Sequence, residues 1–476
     1  MYEVIFFGYV NIGDIMFWSV EFPKFHVPSF SKKLDVAIIG GGITGLTTAY
    51  YLKDSNLKIG LFDKGKVASG VTSKTTAKIT YLQGDIYQRL GSRAKKYFLS
   101  QKEAISELIH IIEKEHIDCD LEQVVSVLFT LDKANIYKLD EEKRLLQQFG
   151  CYPFDIIDSH IEAGFGIRDS YVFHPLKYLK GLCKTLLQKI DFYEDILVQN
   201  IQKNGNFYVL KTTSGIFEAR DVVVCCHYPF FLLPSYIPLK TYVEREYVNV
   251  CKMKEHKHFS AINIDSELHS VRYYKNYLIY GSNQSRLTSK INYSKNYQKS
   301  IADFEKYFKK EPQYTWMNQD IVSNDLLPFI GKVCPHLFIG TAYRAWGMTN
   351  GTLAGKILAD SILNRKNQYI TFFDPKRMNM SLFYHSFLGT FHYMKVYAQS
   401  LWKKNNPFYI RINGIIYAIY EDEEHEIHRI RLLCPHMKCN LVFNSFEKTW
   451  DCPCHGSRFD LDGKLLEGPA KEDLKH

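Results

Sequence analysis

A chain of 476 residues is long enough for two or three domains with cores of their own, and 46% hydrophobic against 23% charged residues excludes a disordered polymer. The net charge of +9 comes from 60 basic and 51 acidic residues spread without a dense basic run, which reads as a solvated surface rather than a nucleic-acid interface. Of 11 cysteines, Cys119, Cys151, Cys183, Cys225, Cys226, Cys251 and Cys334 are scattered without paired spacing, which excludes a secreted disulfide framework and points to a reducing, cytoplasmic setting.

Residues 1–34 read as an N-terminal extension. Val4 to Phe7 is apolar, but Glu3 and Asp14 interrupt it and no basic leader precedes it; residues 1–15 fit an upstream extension, with Met16 as an alternative start. From Asp35 the order is strand (Asp35 to Ile39), glycine turn, helix (Leu46 to Lys53) and strand (Lys58 to Phe62). In the turn Gly40-x-Gly42-x-x-Gly45, Gly40 permits the tight bend, Gly42 lets backbone approach a pyrophosphate, and Gly45 lets the helix close on the strand. Asp63 ends the second strand, where a carboxylate would bond ribose hydroxyls. A glycine turn without a ligand is the alternative. The hydroxyl-rich loop that follows, with Ser69, Thr72, Thr75 and Thr76, favours FAD over NAD.

Helical periodicity runs from about Asp85 to Glu115 and from Ala134 to Phe149, and strand-like runs lie at Phe207 to Lys211 and Val222 to Cys226. Lys240 to Gln284 alternates aromatic and polar residues as an antiparallel sheet does, and it is the expected wall of a substrate cavity. Arg272 in that sheet is a candidate carboxylate clamp, with an exposed structural arginine as the alternative. Tyr273, Tyr274 and Tyr280 suit either the cavity or sheet packing, and no general base is evident. Asp325 to Gly340 returns to strand and turn. A second glycine constellation, Gly340 to Gly351, opens a helix predicted over Gly351 to Leu363; its amides could stabilise negative charge on a reduced flavin ring, or serve only as a strand–turn–helix connection.

Residues 371–406 form a linker with an amphipathic stretch. Met380, Phe383, Tyr384, Phe387, Leu388, Phe391 and Met394 recur at helical spacing, and the expectation is that this stripe packs two domains together, with membrane or partner docking as the alternative. Met378 to Met394 lacks formal charge but is too short and too polar for a membrane span; peripheral membrane contact stays open. From 407 onward short strands and tight turns read as a small β-domain. It holds Cys434-Pro-His436, fifteen residues, then Cys452-Pro-Cys-His455. Two thiolates and two imidazoles in two short loops suit a Rieske [2Fe–2S] centre, whose second iron takes His in place of Cys. Tetrahedral zinc is the alternative, although zinc fingers space their ligand pairs more widely. Cys439 and Cys454 sit where they could clip the two loops together.

Together these segments resemble the D-amino-acid-oxidase-like FAD-dependent oxidoreductases, the group of glycine and sarcosine oxidase, and within it the bacterial members with a C-terminal Rieske domain. The resemblance rests on Asp35 to Gly45, Thr72 to Thr80, Cys226 to Pro229, Asp325 to Gly331, Trp346 to Gly355 and Cys434 to Ala470. It implies an α/β Rossmann-like FAD domain over 35–370, with an inserted antiparallel-sheet substrate domain (insertions about 90–150 and 240–324), and an all-β Rieske domain over 407–476. It also implies FAD held by the first glycine turn and Asp63, with Gly347, Met348 and Thr349 near the ring. By likeness to the Rieske proteins of quinol-oxidising complexes, Cys434 and Cys452 hold one iron, His436 and His455 the other, and Cys439 and Cys454 form a disulfide. Ser457 would donate to cluster sulfur, and Gly468-Pro469-Ala470 resembles the shielding proline loop. Phe459 stands where high-potential relatives have Tyr, which implies a lower reduction potential. The chain stops at His476, just beyond that loop, so a final strand is expected to be short or missing.

The resulting expectation is an enzyme in which FAD oxidises a small amine or amino-acid-like donor and a [2Fe–2S] cluster passes electrons singly to an external acceptor, a protein or a quinone-like molecule, with flow in the opposite direction, from an external one-electron donor, also open. A non-catalytic electron-transfer or redox-sensing protein is the alternative. A Rieske oxygenase would need a mononuclear-iron triad that is not evident, and a respiratory subunit would need a membrane anchor.

Overall fold

The computed structural model describes residues 17–25, 32–230, 236–287, 291–378, 380–402 and 409–475. The expectation for residues 1–15 and the alternative start at Met16 lie outside them. Phe17 to Phe25 runs over the domain surface and sends Trp18 into the core, where its indole donates to Thr75 O at 2.8 Å.

The first layer is a largely parallel sheet in the order Phe329–Cys334, Leu337–Thr341, Gly215–Val224, Lys33–Ile39, Ile59–Phe62, Asp191–Tyr193, with a hairpin (Val198–Asn204, Phe207–Thr212) at its side. Val36 to Ile39 is buried on both faces, as a continuous apolar run in a central parallel strand requires. Helices Ile43–Leu52 and Gly347–Ile362 pack on one face. The second helix starts at Gly347 rather than at Gly351; Gly351 seats against Ile43 of the first helix, and burial there outweighs glycine's poor helix propensity.

The second sheet is mostly antiparallel, in the order Tyr314–Ser323, Thr241–Lys252, Tyr277–Arg286, His269–Tyr274, Phe259–Asn263, Glu122–Thr130, Ala163–Val172, Lys78–Ile79. The alternation over 240–284 thus forms the expected strands. They are joined in parallel through Phe259–Asn263 to Glu122–Thr130, a strand that the sequence reading did not single out. Helices Ala94–Lys114 and Ile136–Gln148 match the predicted helical periodicity.

The C-terminal region is all-β: three strands (Tyr409–Ile412, Ile415–Glu421, Ile427–Arg431) and four short ones (Val442–Asn444, Thr449–Asp451, Arg458–Phe459, Leu465–Glu467). Between the two regions lies the helix Met380–Trp402. Its apolar stripe does not pack the domains together as expected. Phe383, Tyr384, Phe387, Leu388, Phe391 and Met394 are 45–58% exposed, while Leu382 enters the core of the parallel sheet and Val396 that of the C-terminal domain. Leu382, Gly389 and Val396, seven residues apart, are buried, which turns the aromatic positions outward. The side chain of Met380 lies outside the described residues. Among the described residues no helix is long and apolar enough to cross a membrane.

Candidate active site and cluster site

Gly40 ends the first strand at φ +110°, and a Cβ there would lie 2.6 Å from the Cys225 carbonyl oxygen. Gly45 faces the Gly40 carbonyl so closely that a Cβ would collide with it. The helix N-terminus is thereby drawn onto the strand end, with its first amides open to the cleft. The Asp63 carboxylate accepts from Gly41 N at 2.8 Å and Gly65 N at 3.0 Å; burial raises its pKa, and those two donors oppose the rise.

A cleft of about 210 Å³ opens here, lined by Gly40, Gly42, Asp63, Thr72, Thr75, Gly347 and Met348 among the predicted residues. Gly45 acts through packing. The Ser69 hydroxyl donates to Lys66 O at 2.6 Å, closing its own turn, and Thr349 donates to Gln101 Oε1 at 2.7 Å. The cleft also meets residues not anticipated there: Ile196 to Val198, Asn318 to Asp320, and the Leu465 to Lys471 loop of the C-terminal domain. Two buried atoms of lining residues, His227 Nε2 and Asn318 Oδ1, have no hydrogen-bond partner among the described residues, as a polar cofactor would leave them. Glycine turn, buried carboxylate and orphaned polar atoms fit FAD.

Thr75, Asn318 and Ala345 also line a second cavity of about 430 Å³, so the two spaces meet at these residues. The junction is a bent turn in which Ala342, Arg344 and Ala345 all take left-handed φ (66°, 52° and 63°). Such backbone costs on the order of 1 kcal/mol per residue and persists where surrounding contacts impose it. Here Arg344 N donates to Ile321 O at 3.1 Å. The cavity walls carry Lys78, Glu244, Glu246, Gln284, Arg286 and Arg344. Arg286 Nη2, Arg344 Nη1 and Ser285 Oγ are buried without hydrogen-bond partners among the described residues.

Arg272, the predicted clamp, is in neither cavity. Its Nη1 donates to Thr76 O (2.7 Å), Ala77 O (2.9 Å) and Phe173 O (3.2 Å), and its guanidinium lies 5.5 Å from the Trp18 ring. Fully buried, it ties the hydroxyl loop to the substrate sheet. Tyr273 and Tyr280 pack with Cys251, Leu278 and Phe304, away from the cavity, and Tyr274 donates to Asp120 at 2.7 Å. Three ionisable groups with shifted pKa line the two spaces, Lys78 and Glu246 in the second cavity and Asp320 in the cleft. Lys78 donates to Ala261 O at 2.8 Å and Ser270 Oγ at 2.5 Å, and burial pulls its ammonium down while pushing the Glu246 carboxyl up. Burial also pushes Asp320 up to about 7.

In the C-terminal domain the loops 434–439 and 452–457 face each other. Cys439 and Cys454 form a disulfide. Cys434 and Cys452 are buried, and the His436 and His455 rings lie 5.0 Å apart. Burial holds the two imidazoles at about 4 and about 3, so both are neutral at pH 7, the form that ligates metal. His436 Nδ1 is buried without a hydrogen-bond partner among the described residues, as a ligand atom facing iron would be. Ser457 Oγ accepts from Ala470 N at 3.0 Å, which links the proline loop to the ligand loop. Donor set and orphaned nitrogen fit a [2Fe–2S] cluster.

The cluster domain is fastened to the flavin domain beside the cleft. Arg245 Nη1 and Asp451 Oδ2 pair at 2.8 Å with both side chains fully buried. Gln319 Nε2 donates to Gly456 O at 3.0 Å, and Lys74 pairs with Glu467 at 2.8 Å. Lys64 donates to Leu466 O. Tyr297 stacks on Phe446 at 3.7 Å, and Tyr228, from the cleft, meets the His455 ring edge-on at 6.1 Å.

Comparison with known proteins agrees with both halves. The FAD dependent oxidoreductase family matches residues 35–361, and the Rieske [2Fe-2S] domain matches residues 392–476. The chain is 29% identical to a putative Rieske 2Fe-2S iron-sulfur protein, YhfW, of Bacillus subtilis, over 96% of each chain. Over 17% of its length it is 36% identical to cytochrome b6-f complex iron-sulfur subunit 2 of Synechocystis, of which it covers 39%. Its fold is similar to that of glycine oxidase from Geobacillus kaustophilus (TM-score 0.64, 16% identity, 73% of this chain and 99% of that one). The chain therefore belongs to the FAD dependent oxidoreductase family and carries, C-terminal to that domain, a Rieske [2Fe-2S] domain.

Proposed function

We propose that this oxidoreductase oxidises a small amine or amino-acid-like compound in the second cavity and delivers the electrons singly, through the cluster domain, to an external acceptor. The observation that carries this reading is the shared wall: Leu465 to Lys471 of the cluster domain and the glycine turn of the flavin domain line one cleft. When bound, FAD supplies two-electron acceptance from a C–H bond and the cluster supplies one-electron transfer.

The chain's own residues bind and orient. We assign FAD contacts to Gly40, Gly42, Asp63, Thr72, Thr75, Gly347 and Met348, and iron ligation to Cys434, Cys452, His436 and His455. Arg286 and Arg344, with unsatisfied N–H groups on the cavity wall, suit the carboxylate of a donor, a role that Arg272 does not take because it lines neither cavity. Glu244 and Glu246 offer carboxyl oxygens to accept from a donor nitrogen. Lys78 and Glu246, drawn toward neutrality by burial, can hold or release a proton at the cavity wall.

Anaerobic titration of the holoprotein with a panel of amines and amino acids tests the reading: flavin bleaching followed by loss of the oxidised-cluster spectrum is expected. An Arg286→Gln variant should raise KM by about tenfold or more with a smaller change in kcat. If no donor reduces the flavin while the cluster still responds to redox proteins, the chain is a relay and the enzymatic reading fails.

A further inference from the structure

The helix Met380–Trp402 presents Phe383, Phe387, Leu388, Phe391 and Met394 to solvent while Leu382 and Val396 anchor it to the two domain cores. Phe387 and Phe391 touch at 4.8 Å, so the apolar positions form a continuous ridge, not isolated side chains. At 23 residues the helix is about 35 Å long, and both of its anchors are on the opposite side from the ridge.

The segment that carries the ridge has charge of one sign. Residues 375–420 contain six Lys or Arg and no Asp or Glu, in a chain where 51 of 476 residues are acidic. Arg377 is committed to Asp325 at 2.8 Å, but Lys376, Lys395 and Arg411 are exposed. An aromatic ridge on a segment whose own charges are all positive is the pattern of a helix lying in the plane of a bilayer surface with its rings at headgroup level. Electrostatic attraction brings such a surface to anionic lipid, and burial of the rings holds it there.

We infer that this helix docks the protein on an anionic lipid surface. The helix lies on the membrane and does not cross it, in keeping with its length and polarity. The surface is anchored to both domains, so docking places the flavin and cluster domains side by side at the bilayer.

Flotation of the cofactor-loaded full chain with vesicles of phosphatidylglycerol and phosphatidylcholine tests this, with phosphatidylcholine vesicles alone and high salt as comparisons. Binding to the mixed vesicles is expected, and it should weaken about tenfold or more without anionic lipid or in high salt. The double variant Phe387→Ser/Phe391→Ser should lose binding about tenfold or more while keeping the melting temperature and both cofactor spectra. Lack of flotation, or equal flotation of wild type and variant, overturns the inference. Concentration-dependent dimerisation abolished by the same variant overturns it too, by giving the ridge to a second copy. None of these outcomes depends on which donor the flavin domain oxidises.

Discussion

Phe459 lies fully buried in the same core as Cys434 and Cys452, two residues beyond Ser457. A phenyl ring there provides no hydroxyl donor, and hydrogen bonds to the sulfurs of a cluster raise its potential. Phe459→Tyr is therefore expected to raise the cluster potential in a redox titration followed by EPR; an unchanged or lower value would remove this residue as the cause. His174 shows a different single-residue effect. It caps the helix Pro175–Leu186 by accepting from Lys177 N at 3.2 Å, and packs against Trp18. Burial holds its imidazole at about 4, below the ordinary 6.5. The unfolded chain therefore takes up a proton near pH 6.5 that the folded chain refuses until about pH 4. Its contribution is present above pH 6.5 and is lost as pH falls toward 4, by at most about 1.4 kcal/mol per pH unit. Urea midpoints of wild type should thus fall faster than those of His174→Gln across that window. Parallel curves would exclude His174 as the source.

At the scale of elements, the short strand Leu465–Glu467 and the loop after it belong to one domain and wall the cleft of another. Glu467 ties them down through Lys74 at 2.8 Å and Arg458 at 3.1 Å, and these cations hold its carboxyl well below the usual carboxylate range despite burial. Glu467→Gln should let FAD dissociate about tenfold more readily, equivalent to about 1.4 kcal/mol, as read by flavin fluorescence on dilution. Unaltered retention beside a perturbed cluster spectrum would show that the loop does not hold the cofactor. Most of the elements were legible from local pattern: the parallel core strands from their apolar runs, the glycine turn from its spacing, the two disulfide cysteines from their place in the ligand loops. The stripe on Met380–Trp402 was legible as amphipathic but assigned to the wrong neighbour. Periodicity tells which side chains share a face, not which of two faces the chain buries.

For the whole molecule, the joint between domains is held by a fully buried ion pair, Arg245 with Asp451. Removing one partner strands a charge, so Asp451→Ala is expected to cost about 3–5 kcal/mol and to lower Tm markedly. The paired replacement Arg245→Met/Asp451→Leu should recover part of that loss, because it removes both charges of the pair and leaves the buried Arg458, which also pairs with Asp451, to Glu447 and Glu467. If single and double variants melt alike, the pair is not what holds the joint. Arg245 and Asp451 lie 206 positions apart, and neither has a sequence neighbour that betrays the other. The same holds for Arg286 and Arg344, which the fold brings to one cavity while Arg272, in the adjacent strand, turns to carbonyls. The sequence by itself determined the two cofactor chemistries, because glycine turns and cysteine–histidine loops are local devices whose spacing carries the geometry. Only the tertiary structure decided which arginines face the cavity, which domain completes the flavin cleft and which face of the joining helix meets solvent. Those depend on contacts between distant segments, and local periodicity holds no record of them.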